Sequence, residues 1–204
     1  MLNLLSEQGI DLVVATPHFY ANDNSVDEFL DRRRRSAEAL LTVLQPHHPE
    51  VRLGAEIRYY EGISRNPDLK KLRIEGTRLL LLEMPFDHWT EYVVRELIDL
   101  SLSRNTVVLA HVERYLSMQK PAVIDRLLDS GILMQVNASH FNGVFSRSKA
   151  FGMLARQQMH FLGSDAHNLT TRAPEIGKAY ERIQKKFGEE FLSDFTNYGN
   201  RWFL

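Results

Sequence analysis

Leu79-Leu80-Leu81-Leu82-Glu83, closed off by Met84-Pro85, is the segment on which the fold of this chain turns. Its leucines show no alternation, so both faces of the segment are buried, as in a strand of a parallel sheet covered on each side. The run is too short for an ordinary helix, and Pro85 ends it. A carboxylate stands where the apolar run stops. Outward from this strand the same arrangement recurs. Val-Val-Ala-Thr-Pro leads to His18, and Val-Arg-Leu-Gly-Ala leads to Glu56. Val-Val-Leu-Ala leads to His111, with Glu113 and Arg114 just behind. His-Phe-Leu-Gly-Ser leads to Asp165, and His167 follows two residues on. A single His or Glu at a strand end carries little information. Repeated along the chain, the pattern points to one rim, where the ends of parallel strands converge. In barrels of alternating strands and helices that rim holds the active site.

The stretches between these segments alternate with them as helices. Strands are expected at 11–15, 51–57, 79–83, 106–110, 132–136 and 160–163. Leu2, Leu4 and Leu5 open the chain at helical spacing, with Gly9 as a stop. Ser25 and Glu28 form a capping-box pair ahead of a helix that runs to about Gln45. A short helix is expected near Leu69–Leu72, and longer ones at 90–104, 121–130 and 146–158. In the helix at 146–158, Phe151, Leu154 and Ala155 face inward. Residues 173–187 form the last long helix. No linker rich in Gly, Ser or Pro divides residues 1–204, which read as a single domain. Strand–helix alternation implies an α/β fold on a parallel sheet, open or closed.

Composition excludes several functions. The 204 residues carry a formal net charge of −1, which gives no field to attract nucleic acid or acidic membranes. There is no cysteine, which rules out disulfides and thiolate zinc sites. Nitrogen and oxygen ligands remain, and these suit manganese, iron, zinc or magnesium. No apolar run approaches a membrane span, and the opening residues do not form a signal peptide. The default location is cytoplasmic. The basic run Arg32–Arg35 has acidic neighbours at Asp27, Glu28, Asp31 and Glu38, so it reads as a solvated helical face rather than a phosphate patch. His47 and His48 fall in a loop, and His88, His140 and His160 lie outside the pattern.

Taken in order, Ala-Thr-Pro-His18, Gly-Ala-Glu56, Leu-Leu-Glu83-Met-Pro-Phe, Ala-His111-Val-Glu-Arg114-Tyr, Gln-Val-Asn137 and Gly-Ser-Asp165-Ala-His167-Asn resemble the polymerase-and-histidinol-phosphatase superfamily. Within it the chain is most similar to the manganese-dependent tyrosine phosphatases of bacterial capsule and exopolysaccharide operons. Glu-Met-Pro-Phe and His-Val-Glu-Arg-Tyr are the most discriminating pieces. The family usually has Pro where Val112 stands.

The resemblance implies a distorted barrel of seven strand–helix units, with three divalent metals held by nine ligands at the C-terminal rim. By motif, His18, Glu56, Glu83, His111, Asp165 and His167 are six of those ligands. Glu56 would bridge the first two metals, Glu83 and His111 would complete the second, Asp165 would serve the first, and His18 and His167 the third. The resemblance implies manganese as the metal, with iron, zinc, cobalt or magnesium as alternatives. Arg114 and Arg172 match the family's phosphate clamps, a role suited to a guanidinium fork. The partner would be the operon's tyrosine kinase, dephosphorylated at its tyrosine-rich tail. The family's opening Asp-Ile-His-x-His segment, which supplies the first strand and three ligands, does not occur in these residues. Either the start is assigned too late or the gene is shortened. The expected fold is then a barrel without its first strand, binding at most about one metal tightly. Alternatives are a small-molecule phosphatase of the histidinol-phosphate type and a catalytically impaired remnant. Phe19, Tyr20 and Phe86 follow ligand positions, and would either line an aromatic-ring pocket or pack against the next helix.

Overall fold

The computed structural model describes residues 1–203. A short helix α1 (Leu2–Ser6) precedes strands β1 (Leu12–Ala15) and β2 (His18–Phe19) and helix α2 (Val26–Leu41). Strands β3 (Glu50–Leu53), β4 (Glu56–Arg58) and β5 (Leu79–Glu83) follow, then α3 (Glu91–Leu102) and β6 (Thr106–Leu109). The chain continues through α4 (Pro121–Asp129), β7 (Leu133–Asn137), α5 (Val144–Ala155) and β8 (Phe161–Gly163) to α6 (Ile176–Phe187) and α7 (Glu189–Asn200). The expected short helix near Leu69 is a 3-10 helix, Pro67–Leu72.

Every strand pairing is parallel. The main sheet has six strands in the order β2-β4-β5-β6-β7-β8, and β1 pairs with β3 beside it. The two pieces are one ladder with an interruption. The Gly54 N–H donates to the Ala15 carbonyl at 2.9 Å, and the Glu56 N–H donates to the Pro17 carbonyl at 3.0 Å. Pro17 has no N–H to give, which breaks the regular strand there without ending the pairing. His18 and Glu56 therefore lie on paired strand residues, not in loops beyond the strands. The sheet is a curled half-barrel. Among the described residues β2 and β8 are its edges.

The leucine run shows how the two cores arise. Leu80 and Leu82 are fully buried in the large cluster between sheet and helices, with Phe29, Leu97, Leu100, Leu127 and Ile183. Leu79 belongs to a second cluster with Val108 and Leu133, against which Leu81, Phe161, Trp202 and Phe203 pack. Successive side chains point to opposite faces of a strand, so Leu79 and Leu81 line the inside of the curl. Glu83 continues on that inner face at the C-terminal end. At the other end, the Arg52 guanidinium donates to the Phe203 carbonyl at 2.8 Å and lies over its ring.

Helix α2 opens with the expected capping box, in which Ser25 and Glu28 satisfy each other's backbone N–H groups. Along it Arg34 pairs with Asp31 and Glu38, and Arg35 pairs with Asp31, as a solvated face requires. Two expectations need correction. In α5 the buried residues are Ala150, Met153 and Leu154, while Ala155 is exposed. Residues 173–187 do not hold the last long helix, because α7 follows Gly188, whose φ of +94° breaks the backbone between them. Helix α1 reaches α6 through Gln8, which donates to the Pro174 carbonyl at 3.0 Å and accepts the Gly177 N–H at 2.8 Å. Among the described residues no helix is long and apolar enough to cross a membrane.

Candidate metal centre

Register sets the first cluster. His18 pairs with Glu56, Glu56 with Leu81, and Arg58 with Glu83, so two carboxylates and a histidine arrive side by side on adjacent strands. His18, Glu56 and Glu83 each place a ligand atom within 4.8 Å of the others. His111 joins them from the end of β6. Its Nε2 lies 3.0 Å from a Glu56 oxygen and 3.5 Å from a Glu83 oxygen. Glu56, Glu83 and His111 are all buried. Arg58 is the cation that faces this group, 3.1 Å from Glu83.

Tyr115 orients His111. Its hydroxyl donates to the Ala110 carbonyl and lies 3.4 Å from His111 Nδ1. Toward Nδ1 that hydroxyl offers lone pairs, so a metal at Nε2 would leave the ring proton on Nδ1 with an acceptor beside it. Fixing a ligand's tautomer through its other nitrogen is the usual arrangement at a metal. Burial pushes the Tyr115 phenol far above its ordinary value, which keeps it a neutral partner.

Asp165 sits in a second group. Arg114 Nη2 and Arg172 Nη2 each approach it at 2.5 Å, and Asn137 donates to it at 2.9 Å. Burial works to raise this carboxyl, but the two guanidinium charges and the hydrogen bonds outweigh it and hold Asp165 below the usual carboxylate value. His167 Nδ1 lies 3.0 Å from the Asp165 carbonyl oxygen. The His18 and His167 ring centroids are 6.1 Å apart, so the two groups meet across the mouth of the curl. All eight site residues expected from the sequence thus lie in these two neighbouring groups, with both arginines on Asp165.

The donor set fits a divalent cation. His18 Nδ1 is buried and has no hydrogen-bond partner. His111 Nε2 lies against two buried carboxylates, which face one nearby arginine. An unpaired buried nitrogen and an excess of buried negative charge are both costly, and a cation bound among them relieves both. Imidazole and carboxylate together suit manganese, iron or zinc.

Four contributors were not assigned roles from the sequence: Arg58, Tyr115, Gln135 and Asn137. Gln135 accepts the His111 backbone N–H at 2.7 Å and donates to Asn137 at 2.9 Å, which links His111 to Asp165 through buried amides. The signal was available, since Leu133, Gln135 and Asn137 share the inner face of a strand and two of them are polar. His111 itself has φ of 34°, a strained value for a side-chain-bearing residue, and the Gln135 contact helps to hold it there. Gly163 makes room for Gln135. A Cβ on it would fall 2.3 Å from Gln135 Nε2. Gly163→Ala is therefore expected to displace Gln135, orphan the His111 N–H and destabilise the protein by about 1–3 kcal/mol. Denaturant titration measures the first effect, and a weaker manganese affinity by calorimetry the second. Unchanged stability and affinity would mean that Gln135 has another place to go.

A profile of the capsular polysaccharide synthesis family CpsB/CapC matches residues 1–200. This chain belongs to the CpsB/CapC family. It is 33% identical over 195 residues to tyrosine-protein phosphatase YwqE of Bacillus subtilis, covering 90% of this chain and 74% of that one. To tyrosine-protein phosphatase CpsB of Streptococcus agalactiae serotype III it is 27% identical, over 93% of this chain and 83% of that one. Its backbone superposes with a TM-score of 0.83 and 26% identity on a crystal structure from work on YwqE from Bacillus subtilis and CpsB from Streptococcus pneumoniae, described as metal-dependent tyrosine phosphatases. That match covers 99% of this chain and 84% of the other. The CpsB/CapC fold expected from the motifs is thus the fold observed.

Proposed function

We propose that this protein is a metal-dependent tyrosine-protein phosphatase of capsular or exopolysaccharide synthesis, acting on the phosphotyrosines of the cognate kinase. The observation that carries this reading is the cluster of His18, Glu56, Glu83 and His111 beside two half-exposed arginines at one rim. Glu56, Glu83 and His111 would hold one metal, and Asp165, His18 and His167 would contribute to others, with manganese the metal that the family resemblance implies. Bound there, divalent metals activate water and neutralise charge on the phosphoryl oxygens.

The chain's own residues do the rest. Arg114 and Arg172 project to the surface and can turn from Asp165 to a phosphate, which accepts from guanidinium forks. Asn137 and Gln135 hold Asp165 and His111 in place while the arginines change partner. Tyr115 would accept the His111 Nδ1 proton when Nε2 holds a metal.

The test is hydrolysis of a phosphotyrosine peptide against histidinol phosphate in manganese buffer. Release of phosphate from the peptide at a higher kcat/KM is the expected result. A preference for histidinol phosphate would replace the protein substrate with a small molecule. Activity that survives exhaustive chelation would remove the metal from the mechanism.

A further inference from the structure

The aromatic residues that follow the ligands divide in the structure. Phe19 is 2% exposed and packs edge-on against Phe29 of α2, with ring centroids 5.4 Å apart. Tyr20 and Phe86 do the opposite. They are 40% and 44% exposed, and neither is part of either apolar cluster. Each instead lies nearly parallel over a different histidine of the candidate centre. Tyr20 stacks on His18 with centroids 5.5 Å apart at 15°, and Phe86 on His111 at 6.2 Å and 19°. Phe86 is further fixed by Tyr115 at 5.7 Å and by the Arg58 guanidinium at 5.4 Å from its ring. Scattered exposed aromatics are ordinary on protein surfaces. Two pre-set rings flanking one run of buried ligands on neighbouring strands are not a packing requirement, because no core is completed by them.

We propose that Tyr20 and Phe86 are specificity-determining residues that receive the aryl ring of the phosphoester, so that the site selects aryl over alkyl phosphates. The inference rests on the phosphatase reading above and names its discriminating contacts. A phosphoryl group held by Arg114 and Arg172 leaves the ester's organic part at the rim, where these rings stand. Aromatic pairs favour offset or edge contacts with centroids about 4.5–7 Å apart, worth roughly 0.5–1.5 kcal/mol beyond the area buried. An alkyl chain of phosphoserine or histidinol phosphate offers no ring for that contact. Because Phe86 is held by three neighbours, little rotamer entropy is lost when a ring docks on it.

Calorimetry on the manganese-loaded protein tests this with three ligands that are not turned over: benzylphosphonate, propylphosphonate and orthophosphate. The wild type is expected to prefer the benzyl compound. Tyr20→Leu and Phe86→Leu should each reduce the benzyl-to-propyl affinity ratio by about two- to tenfold, the size of one aromatic contact. Orthophosphate affinity should stay within about twofold of wild type. Tyr20→Phe and Phe86→Tyr keep a ring and should restore the ratio, which also covers the case of a leucine variant that folds badly. An unchanged ratio in both leucine variants overturns the proposal. So does an equal loss for all three ligands, which would make the rings supports for the ligand histidines. A wild type that binds no orthophosphate would instead overturn the phosphatase reading, and this inference with it.

Discussion

Glu56→Gln is expected to lower the metal content of the protein and to slow phosphotyrosine-peptide hydrolysis at least tenfold, about 1.4 kcal/mol of transition-state stabilisation. The substitution keeps the size of the side chain and removes its charge. Glu56 stands between two histidine ligands of the centre. Glu56 is strand-paired with His18, and an oxygen of it lies 3.0 Å from His111 and 4.0 Å from His18. In the family resemblance it is also the residue that bridges two metals. A stability measurement separates this role from simple damage. Without metal, the mutant should melt no lower than the wild type, because a buried carboxylate near Glu83 has become neutral. Manganese should raise the melting temperature of the wild type by mass action and leave the mutant close to its metal-free value. Wild-type metal content and rate in the mutant would show the bridging role to be wrong.

Removing the two arginines should have a different signature. Arg114→Ala combined with Arg172→Ala deletes both guanidinium groups from Asp165 and both candidate phosphate donors. Turnover of a phosphotyrosine peptide is expected to fall on the order of a hundredfold or more, the loss seen when a charge-stabilising donor is deleted from an active site. Manganese affinity, measured without phosphate, should hold or rise. Asp165 is engaged by two guanidinium groups at 2.5 Å, and removing them makes a carboxylate available. Orthophosphate affinity should drop together with turnover. A double mutant that loses manganese but still binds phosphate would reverse the assignment of these residues.

The sequence disclosed the strands because each is short, apolar and bounded, and it disclosed Glu83 because a carboxylate ends an unbroken leucine run. Two-residue periodicity then places Glu83, Gln135 and Asn137 on one inner face. Other features were hidden by the kind of signal they carry. Pro17 reads as a stop, yet the ladder resumes past it through its carbonyl, so His18 belongs to a strand. Helix α7 has Phe191, Leu192 and Phe195 at helical spacing, but each is only partly buried, and Gly188 before them marks an end more clearly than a new start. The pairing of Asp165 with Arg114 joins residues 51 positions apart, a relation that no local pattern encodes. The positive φ values of His111 and Asp165 fall on residues that are neither Gly nor Asn. A third such residue, Gln157, follows α5 away from the site, while His111 and Asp165 are both in it.

Crystals grown with manganese and measured at the manganese absorption edge test the central claim most directly. Glu56, Glu83 and His111 together offer a three-ligand set with room for water, which is workable for a catalytic metal. In the family resemblance, Asp165 would join Glu56 at another metal, and His18 and His167 would serve a third. The expected result is a strong anomalous peak bounded by Glu56, Glu83 and His111. Manganese-saturated crystals with no peak among those three side chains would contradict the assignment of this cluster as the metal centre.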